Sequence, residues 1–188
     1  MDDYAELLGV YLGDGCISEL ERTFRLRIAL DLKFPEIIRD CRALMERTFP
    51  KNPVGLVKFK QGNYINLSVY HRHLPCLFPQ HARGKKHERR ITLEDWQFAT
   101  VVASPWRFIR GCIRTDGCVF VNRTGPYEYL SYHFANMSRD IAEYLAFALG
   151  SVGVSYRLTS GSKTGLNVIR VNRRASVAAM VENVGVKR

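Results

Sequence analysis

Long apolar runs are missing from this chain. No stretch approaches the length needed to span a bilayer, which argues against a membrane-embedded protein. Cysteine is sparse and irregular. The five residues, Cys16, Cys41, Cys76, Cys112 and Cys118, are odd in number and contain no Cys-x-x-Cys pair. That favours reduced thiols in a cytosol over a disulfide scaffold. The opening Met1-Asp2-Asp3-Tyr4 is acidic rather than signal-like. The expectation is a soluble intracellular protein, cytoplasmic or organellar and not secreted. Acidic residues are in deficit, 18 Asp and Glu against 28 Lys and Arg, and the net charge of +10 implies a polyanionic partner. No basic tail or low-complexity arm holds that excess, so it belongs to the folded surface. Cut at Asp95, the first half carries 16 basic and 13 acidic residues (net +3), the second 12 and 5 (net +7). At 188 residues and 46% hydrophobic content, the chain suits one domain or two small fused halves.

What the chain does contain is a stretch that occurs twice. Leu7-Leu8-Gly9-Val10-Tyr11-Leu12-Gly13-Asp14-Gly15 returns as Ile109-Arg110-Gly111-Cys112-Ile113-Arg114-Thr115-Asp116-Gly117. Read as helices, the two copies put Gly9 with Gly13 and Gly111 with Thr115 on one face, four residues apart. Small residues at that spacing let two backbones approach closely. Packed together, the helices bring Asp14 and Asp116 side by side at their lower ends, and two carboxylates held by a rigid helix pair make a divalent-metal site. A single Asp-Gly after a helix is ordinarily a C-cap with glycine supplying positive φ. The second copy argues for more than a turn.

The segments after the two copies also correspond. Strand-like runs, Phe24 to Leu32 and Tyr127 to Phe134, lead to helix entries at Phe34-Pro35 and Ser138, and later strands start at Asn63 and Leu166. This is an internal duplication. It predicts an α+β fold of two pseudo-symmetric αββαββα halves, 1–95 and 96–188, joined at the motif helices in a monomer with a pseudo-two-fold axis.

The strands alternate with period two, one face packed and one solvated. In the first half Phe24, Leu26, Ile28 and Leu30 face in, leaving Arg25, Arg27 and Asp31 out. Val57 and Phe59 are read as inward with Lys58 and Lys60 outward. Ile65, Leu67 and Val69 face in, with Tyr64, Asn66, Ser68 and Tyr70 out. In the second half the outward set is Tyr127, Tyr129, Ser131 and His133, then Ser155, Arg157 and Thr159, then Arg170 and Asn172 with Val168. Such side chains hydrogen-bond phosphates and base edges, and a twisted antiparallel sheet fits a major groove. The two sheets are therefore expected to form a DNA-binding saddle. The helices Pro35 to Phe49 and the one capped by Ser138 are amphipathic and cover the sheets' other faces. His71, His73, Cys76 and His81 form a possible zinc cluster, but their spacing matches no structural zinc pattern and Pro75 and Pro79 interrupt it.

The paired motifs and this layout, over residues 4 to 184, resemble a single-chain LAGLIDADG homing endonuclease, with Leu12 and Arg114 in place of the first Asp of the family name. The resemblance implies metal-dependent hydrolysis of double-stranded DNA at a long asymmetric site. Asp14 and Asp116, with the carbonyls of Gly13 and Thr115, would hold Mg²⁺, with Mn²⁺ substituting and Ca²⁺ binding without cleavage. It also assigns Lys86, or Lys85, of the linker Arg83 to Trp96 as the basic residue beside the metals, and Lys85 as a DNA contact. Thr92 to Asp95 then reads as a capped helix start, and Pro105 opens the second motif helix. The rival reading is a DNA-binding regulator or RNA-splicing maturase that keeps the fold without useful cleavage.

Overall fold

The computed structural model describes residues 2–58, 62–162 and 164–187, side chains at positions 124 and 127 excepted. Helix α1 (Asp2–Asp14) leads without a break into β1 (Gly15–Glu19). Then come β2 (Phe24–Asp31), α2 (Pro35–Thr48), β3 (Gly55–Lys58), β4 (Tyr64–Tyr70) and the short α3 (Leu74–Leu77). A 3-10 turn at Lys86–Glu88 and α4 (Asp95–Ala103) precede the second round. That round is α5 (Pro105–Asp116), β5 (Gly117–Thr124), β6 (Tyr127–Asn136), α6 (Arg139–Ser151), β7 (Arg157–Ser160), β8 (Asn167–Val171) and α7 (Arg174–Asn183). Both sheets are antiparallel with the same order, β1-β2-β4-β3 and β5-β6-β8-β7. The duplication expected from the sequence is the architecture.

The motif helices form its centre. Every residue of α1 from Ala5 to Leu12 is buried, so the helix is enclosed all round. A Cβ on Gly9 would stand 2.5 Å from the Phe108 carbonyl oxygen, and one on Gly111 would overlap the Glu6 carbonyl. Only hydrogen fits at this crossing. Polar contacts also tie the helices. Glu6, 2% exposed, faces Arg107 at 2.9 Å and Arg114 at 3.2 Å, and Arg114 continues to Asp40 of α2 at 2.7 Å.

The structure rules out the ordinary C-cap for the two Asp-Gly pairs and departs from the sequence reading at α4 and β3. Gly15 and Gly117 are not left-handed caps: Gly117 has φ −91° and ψ 157°, and neither is among the glycines with positive φ. Each must be glycine because a Cβ would strike the preceding helical turn, at Tyr11 or Ile113. Helix α4 is capped by Glu94 rather than Thr92, in a capping box with Gln97. The parity of β3 is reversed. Val57 pairs with Asn66 and Lys58 with Ile65, so Lys58 shares the core-side face while Val57, 54% exposed, shares the polar one. As an edge strand, β3 is exposed on both faces and its alternation carries no burial signal. Lys60 and Phe59 lie outside the described residues.

Candidate active site and nucleic-acid interface

The site begins at the lower ends of α1 and α5. The close crossing brings the last turns together, so that Asp116 Oδ2 lies 3.2 Å from where a Cβ on Gly13 would stand. Each helix end is held by a lysine from elsewhere in the chain. Lys86 Nζ donates to the carbonyls of Tyr11, Leu12 (2.9 Å) and Gly13 (2.8 Å). Lys187 Nζ donates to Thr115 O at 2.8 Å and Gly117 O at 2.9 Å. Helix C-termini present unpaired carbonyls and negative dipole ends, which an ammonium satisfies. Each ammonium also lies over a ring, Lys86 over Tyr11 and Lys187 over Phe34, both 5.0 Å from the centroid. Lys85 instead points outward to Glu88 at 3.5 Å. Of the two linker candidates, Lys86 is the one brought to the helix ends.

Lys187 was absent from the sequence-derived set. The signal was available, since it stands about as far beyond Asp116 as Lys86 stands beyond Asp14. Asn136 was missed too. It donates to Asp116 Oδ2 at 2.6 Å, and its own oxygen accepts from the Ser138 amide at 2.7 Å, which fixes its orientation.

The four charged groups interact strongly. Asp14 reaches solvent, yet the packing around it, and then the Asp116 charge, push its carboxyl up to about 6, against the pull of Lys187 and Lys86. Burial also raises Asp116, while Asn136 and both lysines pull the other way. Burial draws Lys86 down to about 8 and lowers Lys187, the two carboxylates partly offsetting it in each case. A cavity of about 410 Å³ opens here, lined by Gly13, Lys86, Asp116 and Asn136 among others.

The donor set is all oxygen: two carboxylates, each raised by burial, beside backbone carbonyls. Among the described residues no group of three or more His, Cys, Asp or Glu is placed to hold a metal. Two neighbouring carboxylates match the donor need of a hydrated hard cation such as Mg²⁺, which takes one or two and shares the rest of its shell with water and phosphate. The Gly13 and Thr115 carbonyls, expected as ligands, each accept from a lysine. Zinc chemistry finds no support at His71, His73, Cys76 and His81. His71 Nδ1 accepts from the His73 amide at 3.2 Å, and His81 Nδ1 lies 3.0 Å from Phe78 O. All five cysteines are free.

Register defines the two polar faces. Arg25 pairs with Tyr70, Arg27 with Ser68 and Asp31 with Tyr64, so these six share one face, joined by Cys16 and Ser18 of β1. Asn66 and Ser68 lie on it but are only 6% and 7% exposed, β4 being an inner strand between β2 and β3. Asn66 Oδ1 and Arg25 Nε are buried there with no protein partner. Asp31 accepts from the Lys33 amide at 2.8 Å and from Asn63 at 3.3 Å, so it organises the turn after β2. In the second sheet His133, Arg170 and Arg157 stand opposite one another across three strands. Burial, then Arg170, lowers the His133 pKa. Ser131 is buried beneath Asn122, which donates to it at 2.6 Å, so Asn122 is the outer group at that position. Thr159 accepts from Arg170 at 3.2 Å, and Asn172 is exposed just past β8.

With this geometry in view, residues 105–185 match the family described as LAGLIDADG-like domain. Comparison with curated proteins gives no significant match. The fold is that of solved LAGLIDADG structures. A mesophilic variant of the homing endonuclease I-DmoI superposes with a TM-score of 0.67 at 17% identity, covering 97% of this chain and 95% of that one. I-DmoI in complex with DNA and Mn gives 0.66 at 16% identity, with coverage of 100% and 98%. The N-terminal LAGLIDADG domain of DUF199/WhiA gives 0.64 at 15% identity, with coverage of 100% and 82%. At these identities the likeness is one of fold, and it extends to a cleaving and to a differently named protein alike. Among the described residues no helix is long and apolar enough to cross a membrane.

Proposed function

Taking the chain as a LAGLIDADG-fold protein, we propose that it is a metal-dependent, site-specific endonuclease of double-stranded DNA, its halves 1–95 and 96–188 each addressing one strand. The observation that carries this reading is the convergence of Asp14 and Asp116 at adjacent helix ends, each helix end held by its own lysine. Asp14 and Asp116 would hold the metal, Mg²⁺ or Mn²⁺, which when bound supplies an activated water and charge neutralisation at the phosphate. Asn136 fixes the rotamer of Asp116. Lys86 and Lys187 keep cationic charge beside the scissile phosphates and hold both helix ends rigid. The polar faces, with Arg25, Arg27, Tyr64, Tyr70, His133, Thr159, Arg170 and Asn172, lie against the duplex. Arg and Asn there have the donor and acceptor pattern that reads guanine and adenine edges.

A second reading is a DNA-binding regulator without cleavage. It is favoured by the lysines themselves: Lys86 commits all three of its protons to helix-end carbonyls, an arrangement that holds the helix together without metal. Incubating the protein with a randomised duplex library, with Mg²⁺ and in parallel with Ca²⁺, separates the two. Recovered fragments cut at one site in Mg²⁺ alone support the enzyme. Enrichment of one sequence with no cut in Mg²⁺ or Mn²⁺ supports the regulator.

A further inference from the structure

A cationic cavity outside the helix ends lies at the far edge of the second sheet. It has a volume of about 490 Å³ and is lined by Val154, Ser155, Tyr156, Arg157, Arg170, Asn172 and Arg173. Arg157 and Arg170 are directly opposed across β7 and β8. Like charges at that spacing destabilise a sheet, and among the described residues no carboxylate pairs with either, or with Arg173. Hydroxyls steady the guanidinium groups instead: Arg170 donates to Thr159 at 3.2 Å and Arg173 to Ser155 at 3.4 Å. The cavity also adjoins the start of α7, whose capping residue is Arg173 and offers no side-chain acceptor. The topologically equivalent pair in the first sheet is Gly55 and Ser68, which carries no charge.

We infer that this cavity is a seat for one backbone phosphate of the duplex, present in the C-terminal half alone. Three guanidinium forks around a single anion offset the repulsion between Arg157 and Arg170, since arginine binds phosphate oxygens in bidentate fashion. Arg170 belongs to the polar face, and in this cavity it serves the backbone rather than a base edge, so the clamp adds affinity and register without sequence preference. It also gives the excess positive charge of the second half a place and a purpose. The inference rests on the reading that the sheets face DNA.

Two measurements test it on the full chain, with Arg157→Gln/Arg173→Gln beside wild type and Arg139→Gln as a control on the outer helix α6. The first is the melting temperature in phosphate against chloride buffer at equal ionic strength. Wild type should be stabilised by phosphate, and the double variant should lose that shift while melting no lower than wild type in chloride. The second is the affinity for a non-specific duplex as a function of KCl, without divalent metal. The double variant should bind roughly tenfold more weakly near 0.1 M salt, with its log–log salt slope reduced by about one, the signature of one lost phosphate. A slope reduced by about two or more would mean that the arginines contact separate phosphates, and the single-seat inference fails. A phosphate shift with unchanged duplex affinity overturns the duplex as occupant. Wild-type binding without loss in the variant, and no phosphate shift, overturns the site while leaving the DNA reading in place. No duplex binding by wild type overturns both.

Discussion

At the residue scale, the carboxyl of Asp14 is held above its ordinary range, and this fixes the sign of a stability effect. A folded-state pKa of about 6 against an ordinary 3.8 means that the native state binds the proton more tightly than the unfolded chain. Stability contributed by this group is full below pH 3.8 and is lost as the pH rises toward 6. Asp14→Asn should therefore melt higher than wild type at pH 7 and alike at pH 3.5, provided both remain folded there. Because the side chain is open to solvent, the gain should be about 1 kcal/mol, or roughly 2–4 °C. Mg²⁺ or Ca²⁺ should raise the wild-type melting temperature and leave Asp14→Asn/Asp116→Asn unmoved. The same double variant should retain duplex binding and lose cleavage, and wild-type rates from it would remove these carboxylates from the mechanism. Asp14 and Asp116 were legible in the sequence because the motif repeats around them. Lys187 was not singled out because its meaning depends on a fold that returns it to Thr115, although its spacing echoed that of Lys86.

At the element scale, the crossing of α1 and α5 depends on atoms that are absent. Gly111→Ala introduces a Cβ against the Glu6 carbonyl and the Val10 amide, all backbone, which has no side-chain freedom to give way. The expected cost is about 1–3 kcal/mol, seen as a lower urea midpoint at an unchanged m-value. Gly150→Ala, whose nearest neighbour would be 4.0 Å away, should change little. An equal effect at the two positions would argue against the close crossing. This contact could be foreseen, since small residues four apart are visible in any helical reading. The central strands were equally readable: Leu26, Ile28, Ile65 and Leu67 are buried as their alternation implied. Strand β3 was misread because Val and Lys alternate there without either face being covered, and only pairing with β4 reveals which way Lys58 points. Arg27→Ala should accordingly weaken duplex binding severalfold, whereas Lys58→Ala should not, as measured by fluorescence anisotropy.

At the scale of the whole molecule, the two halves share a plan but not a chemistry. Strand register makes Asn136 the counterpart of Leu30, because Phe134 pairs with Gly117 as Ile28 pairs with Gly15. Asn136 donates to Asp116, while Leu30 is core and offers Asp14 nothing. The lysines differ as well: Lys86 gives all three protons to carbonyls, and Lys187 gives two. Asp116 thus has a hydrogen-bonded partner that fixes its rotamer, whereas among the described residues Asp14 has none, and orientation of this kind governs rate steeply. The two strands of a duplex should then be cut at different rates by a single bound molecule. On a supercoiled plasmid carrying the preferred site, nicked circles should accumulate before linear product, with most nicks in one strand on denaturing gels. Asn136→Leu makes the second centre resemble the first. It should lower the overall rate and reduce the strand bias, while leaving the salt dependence of binding intact. Linear product forming from the outset with no nicked intermediate, in wild type and Asn136→Leu alike, would show that the asymmetry around Asp14 and Asp116 has no bearing on the order of cutting.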